Sequence, residues 1–349
     1  LFPYTTLFRS LLFPSFRGGA PLPGLITNAR ELSFSYAAHR AGPAVVNIYT
    51  RSFAGNRGEK AELRPQGLGS GVIMNQRGHV LTNYHVIADA DQIIVALQDG
   101  RVFSAELVGT DKLTDLAVLY IESDNLPVIP QDPERLPDVG DVVLAIGNPY
   151  NVGQTITQGI ISATGRIGLS SMGPDSNGRQ DLLQTDAAIN EGNSGGALVN
   201  GRGDLVGINT AAYHLNGNQE SYGISFAIPY KLAKRIMDEL IANGRVIRGY
   251  LGISSVEINP IVARMMNLGD LQGLVVESLD PDGPATKAGL RRGDVLLKIN
   301  GEAISGVRPV MDKIVESRPG TKLTISVIRN GKPLDVDVII EEDVRYQNL

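Results

Sequence analysis

The chain contains no cysteine. That absence removes disulfides, Cys-ligated zinc and thiol catalysis together, and it is compatible with an oxidising compartment. Histidine is scarce too. The four present, His39, His79, His85 and His214, are scattered and form no H-E-x-x-H pair, so a metalloenzyme has little to stand on and no cofactor or metal is expected. No stretch approaches the roughly 18 to 20 apolar residues of a membrane-spanning helix. Positive charge is not in excess either: 32 Lys+Arg against 37 Asp+Glu leave a net charge of -5, with no basic run. That balance argues against nucleic acid as a partner.

What is present is enough for two folded domains: 349 residues, 42% of them hydrophobic and 20% charged. The first ten residues, LFPYTTLFRS, look like a translated sequencing adapter and are left out of the fold. Residues 11–31, apolar at first and then rich in Gly and Pro, read as a tether or as the remnant of a membrane anchor. From residue 32 the texture becomes short apolar runs separated by Gly, Asn and Asp: 44–49, 70–74, 79–83, 92–97, 116–121, 141–146, 155–164, 181–184, 196–199, 205–210 and 223–228. Many short strands with turn signals predict an all-β barrel or sandwich. Pro229 then opens a helical stripe through Leu232, Ile236, Met237 and Leu240 that Gly244 closes, ending a domain over 32–245. About one hundred residues of mixed β and α follow, a second small domain over 249–345.

Gly192-Asn193-Ser194-Gly195-Gly196 carries the most chemical information. A serine hydroxyl needs a base to become a nucleophile, and the acyl-transfer intermediate needs backbone N–H groups aimed at its oxyanion. Glycines around Ser194 allow the tight turn that would align those donors, taken as the N–H groups of Gly192, Asn193 and Ser194. Such serines also occur in ordinary turns. The segment further satisfies G-x-S-x-G, the nucleophile elbow of α/β-hydrolases, but that triad runs Ser, acid, His, and His214 is the only histidine after Ser194. Upstream, the order His, Asp, Ser of chymotrypsin-like enzymes is available. His85 sits at the end of a short strand and Asp115 at the start of another, with Asp111 as a competing acid four residues earlier. A neutral imidazole can accept the serine proton if a carboxylate fixes its tautomer. Each signal alone has a bland structural reading; the conjunction in the required order favours catalysis by His85, Asp115 and Ser194.

The motifs TNYHVI, TDLAVL, GNSGGALVN and GSGVI resemble the HtrA family of serine proteases, and the run 89–164 is similar to its DegS branch of membrane-anchored periplasmic stress sensors. The resemblance covers roughly residues 32–345. It implies a mainly β architecture, a chymotrypsin-like double β-barrel followed by a PDZ domain, and serine endopeptidase activity. By the same likeness Ala188, six residues before the nucleophile, would floor the specificity pocket and Ile208 would line its wall, predicting cleavage after small or medium apolar residues. Tyr250, Leu251, Gly252 and Ile253 would form the loop that holds a peptide carboxylate while the peptide adds to a sheet edge. Arg166 and Asp312 would couple that domain to the protease, and the loops 170–179 and 216–220 would order or disorder around the oxyanion amides.

The resemblance further implies a protein substrate that is a membrane-spanning anti-sigma factor, and activation by C-terminal peptides of misfolded outer-membrane proteins. It implies a homotrimer built on aromatic residues such as Phe34 and Tyr36, and a periplasmic location with an inner-membrane anchor preceding this chain. Two rivals stay open: a general quality-control protease, and an idle peptide-binding protein that kept the fold.

Overall fold

The computed structural model describes residues 33–54, 62–148, 153–166, 182–190, 192–210, 223–258, 264 and 273–344. The described residues from Ser35 onward belong to one compact unit. Helix α1 (Ser35–Ala41) leads into six strands, β1 (Val45–Ala54), β2 (Glu62–Ile73), β3 (His79–Asn83), β4 (Gln92–Ala96), β5 (Val102–Asp111) and β6 (Leu116–Tyr120), with a single helical turn α2 (Tyr84–Ile87) after β3. They close into a barrel in the order β1-β2-β3-β6-β5-β4. Its interior is aliphatic, from Val46, Ile48, Ile73, Val80, Val95 and Leu119 among others.

A second barrel, of order β10-β11-β12-β9-β8-β7, is made by β7 (Val142–Gly147), β8 (Thr155–Arg166), β9 (Leu182–Thr185), β10 (Ala197–Asn200), β11 (Leu205–Thr210) and β12 (Ser225–Pro229). Full closure leaves neither sheet with an unpaired edge. Helix α3 (Tyr230–Asn243) buries Ala233, Ile236, Met237 and Leu240 and is capped by Gly244 in the left-handed region, φ +70°. It lies on β5 and β6 of one barrel and β11 of the other. Burial of each large side chain contributes about 1.5–3 kcal/mol, so this helix clamps the barrels together. A Cβ at Gly109 on β5 would sit 2.7 Å from the Gly244 carbonyl oxygen, which is why the strand needs glycine there.

The remaining residues build a β-sheet over a separate core of Leu274, Leu296, Ile325, Val327 and Val338 with Val310 and Ile314. Its strands are β13 (Gly249–Tyr250), β14 (Ile253–Glu257), β15 (Leu274–Leu279), β16 (Val295–Ile299), β17 (Glu302–Ala303), β18 (Lys322–Arg329), β19 (Lys332–Ile339) and β20 (Glu341–Glu342); its helices are α4 (Pro284–Lys287) and α5 (Val307–Glu316). The main sheet runs β14-β15-β16-β18-β19, so β14 is an edge strand, and β13 pairs with β20 separately. Beneath the core, fully buried Asp294 takes two hydrogen bonds from Arg329, at 2.8 and 2.7 Å.

Two elements differ from the sequence reading. Strand β5 lies in a stretch the apolar runs passed over, because most of its positions are exposed or half-exposed. The stretch from Tyr250 to Ile253 is not wholly loop: Tyr250 belongs to β13 and Ile253 to β14, leaving Leu251 and Gly252 as the connection. The predicted mobile segments 170–179 and 216–220 lie outside the described residues, as does the side chain of Arg166.

Candidate active site

The two barrels meet where β3 packs against β11 and β2 runs past β7 and the turn after residue 191. His85 is presented by the helical turn α2 rather than by a strand end. Its Nδ1 lies 2.7 Å from Asp115 Oδ2, and its backbone N–H donates to Asp115 Oδ1 at 2.9 Å. Both oxygens of one carboxylate therefore fix one histidine, ring and backbone together. An acceptor on Nδ1 leaves Nε2 as the free base, the tautomer that proton abstraction requires.

Asp115 reaches this pose through an unusual backbone, φ +54°. Its carbonyl oxygen holds the conformation by accepting the Tyr84 N–H at 3.0 Å and Asn83 Nδ2 at 2.9 Å. The competing acid is committed elsewhere. Asp111 takes Arg248 Nη1 on Oδ1 at 2.9 Å and Arg248 Nη2 on Oδ2 at 2.6 Å, and also receives the Thr114 hydroxyl. Sequence reasoning did not single out Thr210, the last residue of β11, whose Oγ1 lies 3.4 Å from Asp115 Oδ2. Only a contact 95 positions apart reveals it.

Ser194 sits in a turn bracketed by Gly192 at φ +96° and Gly195 at φ +81°. A Cβ at Gly195 would fall 2.2 Å from the Ser70 carbonyl oxygen and 3.2 Å from Asn83 N, so only glycine lets the Ser194 turn approach the strand that leads to His85. Strand β11 holds the turn from the other side: Gly195 N–H donates to Asn209 O and Asn209 N–H to Gly196 O, both at 2.8 Å. Among the described residues no hydrogen bond joins Ser194 Oγ to His85, and the N–H groups of Gly192 and Ser194 have no acceptor. Asn193 departs from expectation. Its N–H is given to Asn190 O at 3.0 Å, because the turn closes on itself there, so the open donors are two rather than three.

These features belong together in known proteins. Residues 69–208 match the trypsin-like peptidase domain family and residues 249–340 the PDZ domain family. The chain is 54% identical over 318 residues to the serine endoprotease DegS of Escherichia coli (strain K12), covering 90% of this chain and 88% of that protein. The chain belongs to the HtrA family. It is a serine endoprotease of the DegS type. The periplasmic pH-dependent serine endoprotease DegQ of the same organism is 39% identical over 350 residues, spanning 95% of this chain and 75% of its own. Among solved structures, the HtrA-type protease AlgW with a tripeptide superposes with a TM-score of 0.78 at 47% identity, over 89% of this chain and 97% of that one.

In this HtrA protease a crevice of about 830 Å³ runs between the PDZ sheet and the barrels. Edge strand β14, the Leu251-Gly252 connection and Met311 and Ile314 of α5 line one side; Thr164, Gly165 and Leu232 line the other. Gly252 adopts φ +77°, and the N–H groups of Leu251 and Gly252 have no acceptor among the described residues. Tyr250 fixes the connection from behind by donating its hydroxyl to Asp280. Asp312 lines the same crevice as Thr164 and Gly165. The specificity residues divide: Ala188 is exposed, whereas Ile208 is 0% exposed, on a strand against which helix α3 packs. Ile208 therefore does not form the open wall expected of it.

Proposed function

We propose that His85, Asp115 and Ser194 are the catalytic triad of this endoprotease. The observation that carries the reading is the two-point grip of Asp115 on His85, at 2.7 and 2.9 Å, beside a serine turn with two open N–H donors. Substrate binding brings Ser194 Oγ within hydrogen-bond reach of His85 Nε2, which accepts its proton as Oγ attacks the scissile carbonyl. The N–H groups of Gly192 and Ser194 then stabilise the oxyanion. His85 returns the proton to the leaving amine, and water repeats the sequence on the acyl-enzyme. The uncharged, exposed Ala188 supports cleavage after small or medium apolar residues such as Val and Ala.

The edge position of β14 and the amides of Leu251 and Gly252, which have no acceptor among the described residues, support capture of a peptide C-terminus as an added strand. Because the same crevice is walled by Thr164 and Gly165, at the end of the strand leading to Arg166, an added peptide would touch the protease and raise its activity. This, together with the DegS-type relationship, favours regulated cleavage of a membrane-spanning anti-sigma factor in the periplasm. Activating C-termini would come from misfolded outer-membrane proteins. A homotrimer at the inner membrane fits the same relationship, and Tyr36, 68% exposed, is available for such contacts.

The test is cleavage of a purified periplasmic segment of the anti-sigma factor by the full chain, with and without a synthetic peptide ending in a free apolar residue. Peptide should raise the rate, and Ser194→Ala should abolish both cleavage and fluorophosphonate labelling. A Ser194→Ala protein that still cleaves would overturn the triad; a rate indifferent to peptide would overturn the regulation.

A further inference from the structure

Strand β2 runs Gly69-Ser70-Gly71 past the junction of the two barrels. A Cβ at Gly69 would lie 2.4 Å from Val86, and one at Gly71 would lie 2.8 Å from Ile48 and Val80, so both positions face the interior of the first barrel. Alternation along the strand turns Ser70 the other way, toward the second barrel. There it is completely buried.

Each hydrogen-bonding group of Ser70 goes to a different part of the site. Its Oγ accepts the Asn148 N–H at 3.0 Å and donates to the Gly192 carbonyl oxygen at 2.7 Å. Its N–H donates to the Ser194 carbonyl oxygen at 2.9 Å, and its own carbonyl accepts the Thr82 hydroxyl at 2.7 Å, three residues before His85. One residue of the first barrel thus holds the carbonyls on either side of Asn193 and ties them to the end of β7 and to β3.

Gly192 is the soft point of the turn. At φ +96° it lies in a region that glycine enters freely, so nothing intrinsic keeps its peptide planes oriented. The peptide between Gly192 and Asn193 is fixed from outside, by Ser70 Oγ on its carbonyl and Asn190 on its N–H. Holding that plane sets the direction of the N–H groups on either side, those of Gly192 and Ser194, which have no acceptor among the described residues. We propose that Ser70 is a positioning residue for the oxyanion donors, its buried hydroxyl locking the Gly192–Asn193 peptide from across the barrel seam. The proposal rests on the reading of Ser194 as the nucleophile.

The experiment compares Ser70→Ala, Ser70→Thr and Ser194→Ala in the full chain, with rates normalised to the folded fraction by circular dichroism. Removing one oxyanion donor outright costs about 10²–10³ in kcat, so loosening two should cost Ser70→Ala roughly 10- to 100-fold, with KM within about twofold. Affinity for a peptide boronate, whose tetrahedral adduct uses the donors, should fall in parallel, while affinity for the matching product peptide and the His85 limb of the pH–rate profile stay unchanged. Ser70→Thr, which keeps the hydroxyl, should recover most of the rate. A Ser70→Ala kcat equal to wild type per folded molecule, equal losses of boronate and product affinity, or a folded Ser70→Thr as slow as the alanine variant would each overturn the proposal. If threonine does not fold, the boronate-to-product comparison in Ser70→Ala decides. An active Ser194→Ala would instead remove the nucleophile reading, which separates the two failures.

Discussion

At the scale of residues, the site turns on which carboxylate faces the histidine. Asp115 and Asp111 are four positions apart and both precede or end strands, yet their partners are unlike: His85 for one, Arg248 and Thr114 for the other. The two substitutions should therefore separate cleanly. Asp115→Asn leaves the geometry but offers His85 the wrong tautomer, and kcat should fall by about 10⁴ with little change in melting temperature. Asp111→Asn weakens a buried pair instead, lowering the melting temperature while kcat per folded molecule stays within about threefold, since the group touches no reacting atom. Steady-state kinetics alongside thermal melts on the two variants check this.

At the scale of elements, the PDZ sheet offers two further tests. The Leu251-Gly252 connection depends on φ +77° at Gly252, and a Cβ there would meet the Gly283 backbone at 3.2 Å. Gly252→Val should close the proposed carboxylate site. Peptide affinity measured by fluorescence anisotropy should fall at least about tenfold, the worth of one lost charge-assisted hydrogen bond, while the peptide-independent rate persists.

The second test concerns Asp294. Burial opposes its charge, but hydrogen bonds from Arg329 and the Arg291 N–H, and both guanidinium charges, hold its carboxyl below the usual carboxylate range. A depressed folded value means stability that is complete above the ordinary value of about 3.9 and is lost as pH falls toward and through the folded one. Unfolding of the PDZ sheet followed by hydrogen exchange should accelerate below about pH 4, and Asp294→Asn should flatten that dependence.

At the scale of the whole molecule, Arg248 connects the halves. Its carbonyl accepts the Asp343 N–H at 2.9 Å just beyond β20, while its guanidinium is the bidentate partner of Asp111 at the end of β5 in the first barrel, both side chains almost buried. Arg248→Met leaves Asp111 charged and unpaired, at a cost of about 3–5 kcal/mol. Combining it with Asp111→Asn removes the stranded charge, so the double variant should be destabilised by at least about 1 kcal/mol less than the sum of the singles. Denaturant titrations of the four proteins measure that difference, and strict additivity would mean the pair contributes nothing to joining the domains.

What the sequence alone determined is what local residue identity controls: the order His85, Asp115, Ser194, the glycine turn, the absence of thiols, the number of domains, and most strands to within two residues. Strands with one apolar face in a closed barrel announce themselves by their pattern. Strand β5 and the edge strand β14 did not, because half or more of their surface stays wet and carries Glu and Ser. Tertiary structure decided everything that depends on partners distant in the chain. It set Asp115 rather than Asp111 against His85, spent the Asn193 amide on Asn190, buried Ile208, and brought Thr210 to Asp115 from 95 positions away and Ser70 to Gly192 from 122. The physical reason is that a hydrogen bond is set by distance in space. The seam between two closed barrels joins residues that no window along the chain contains.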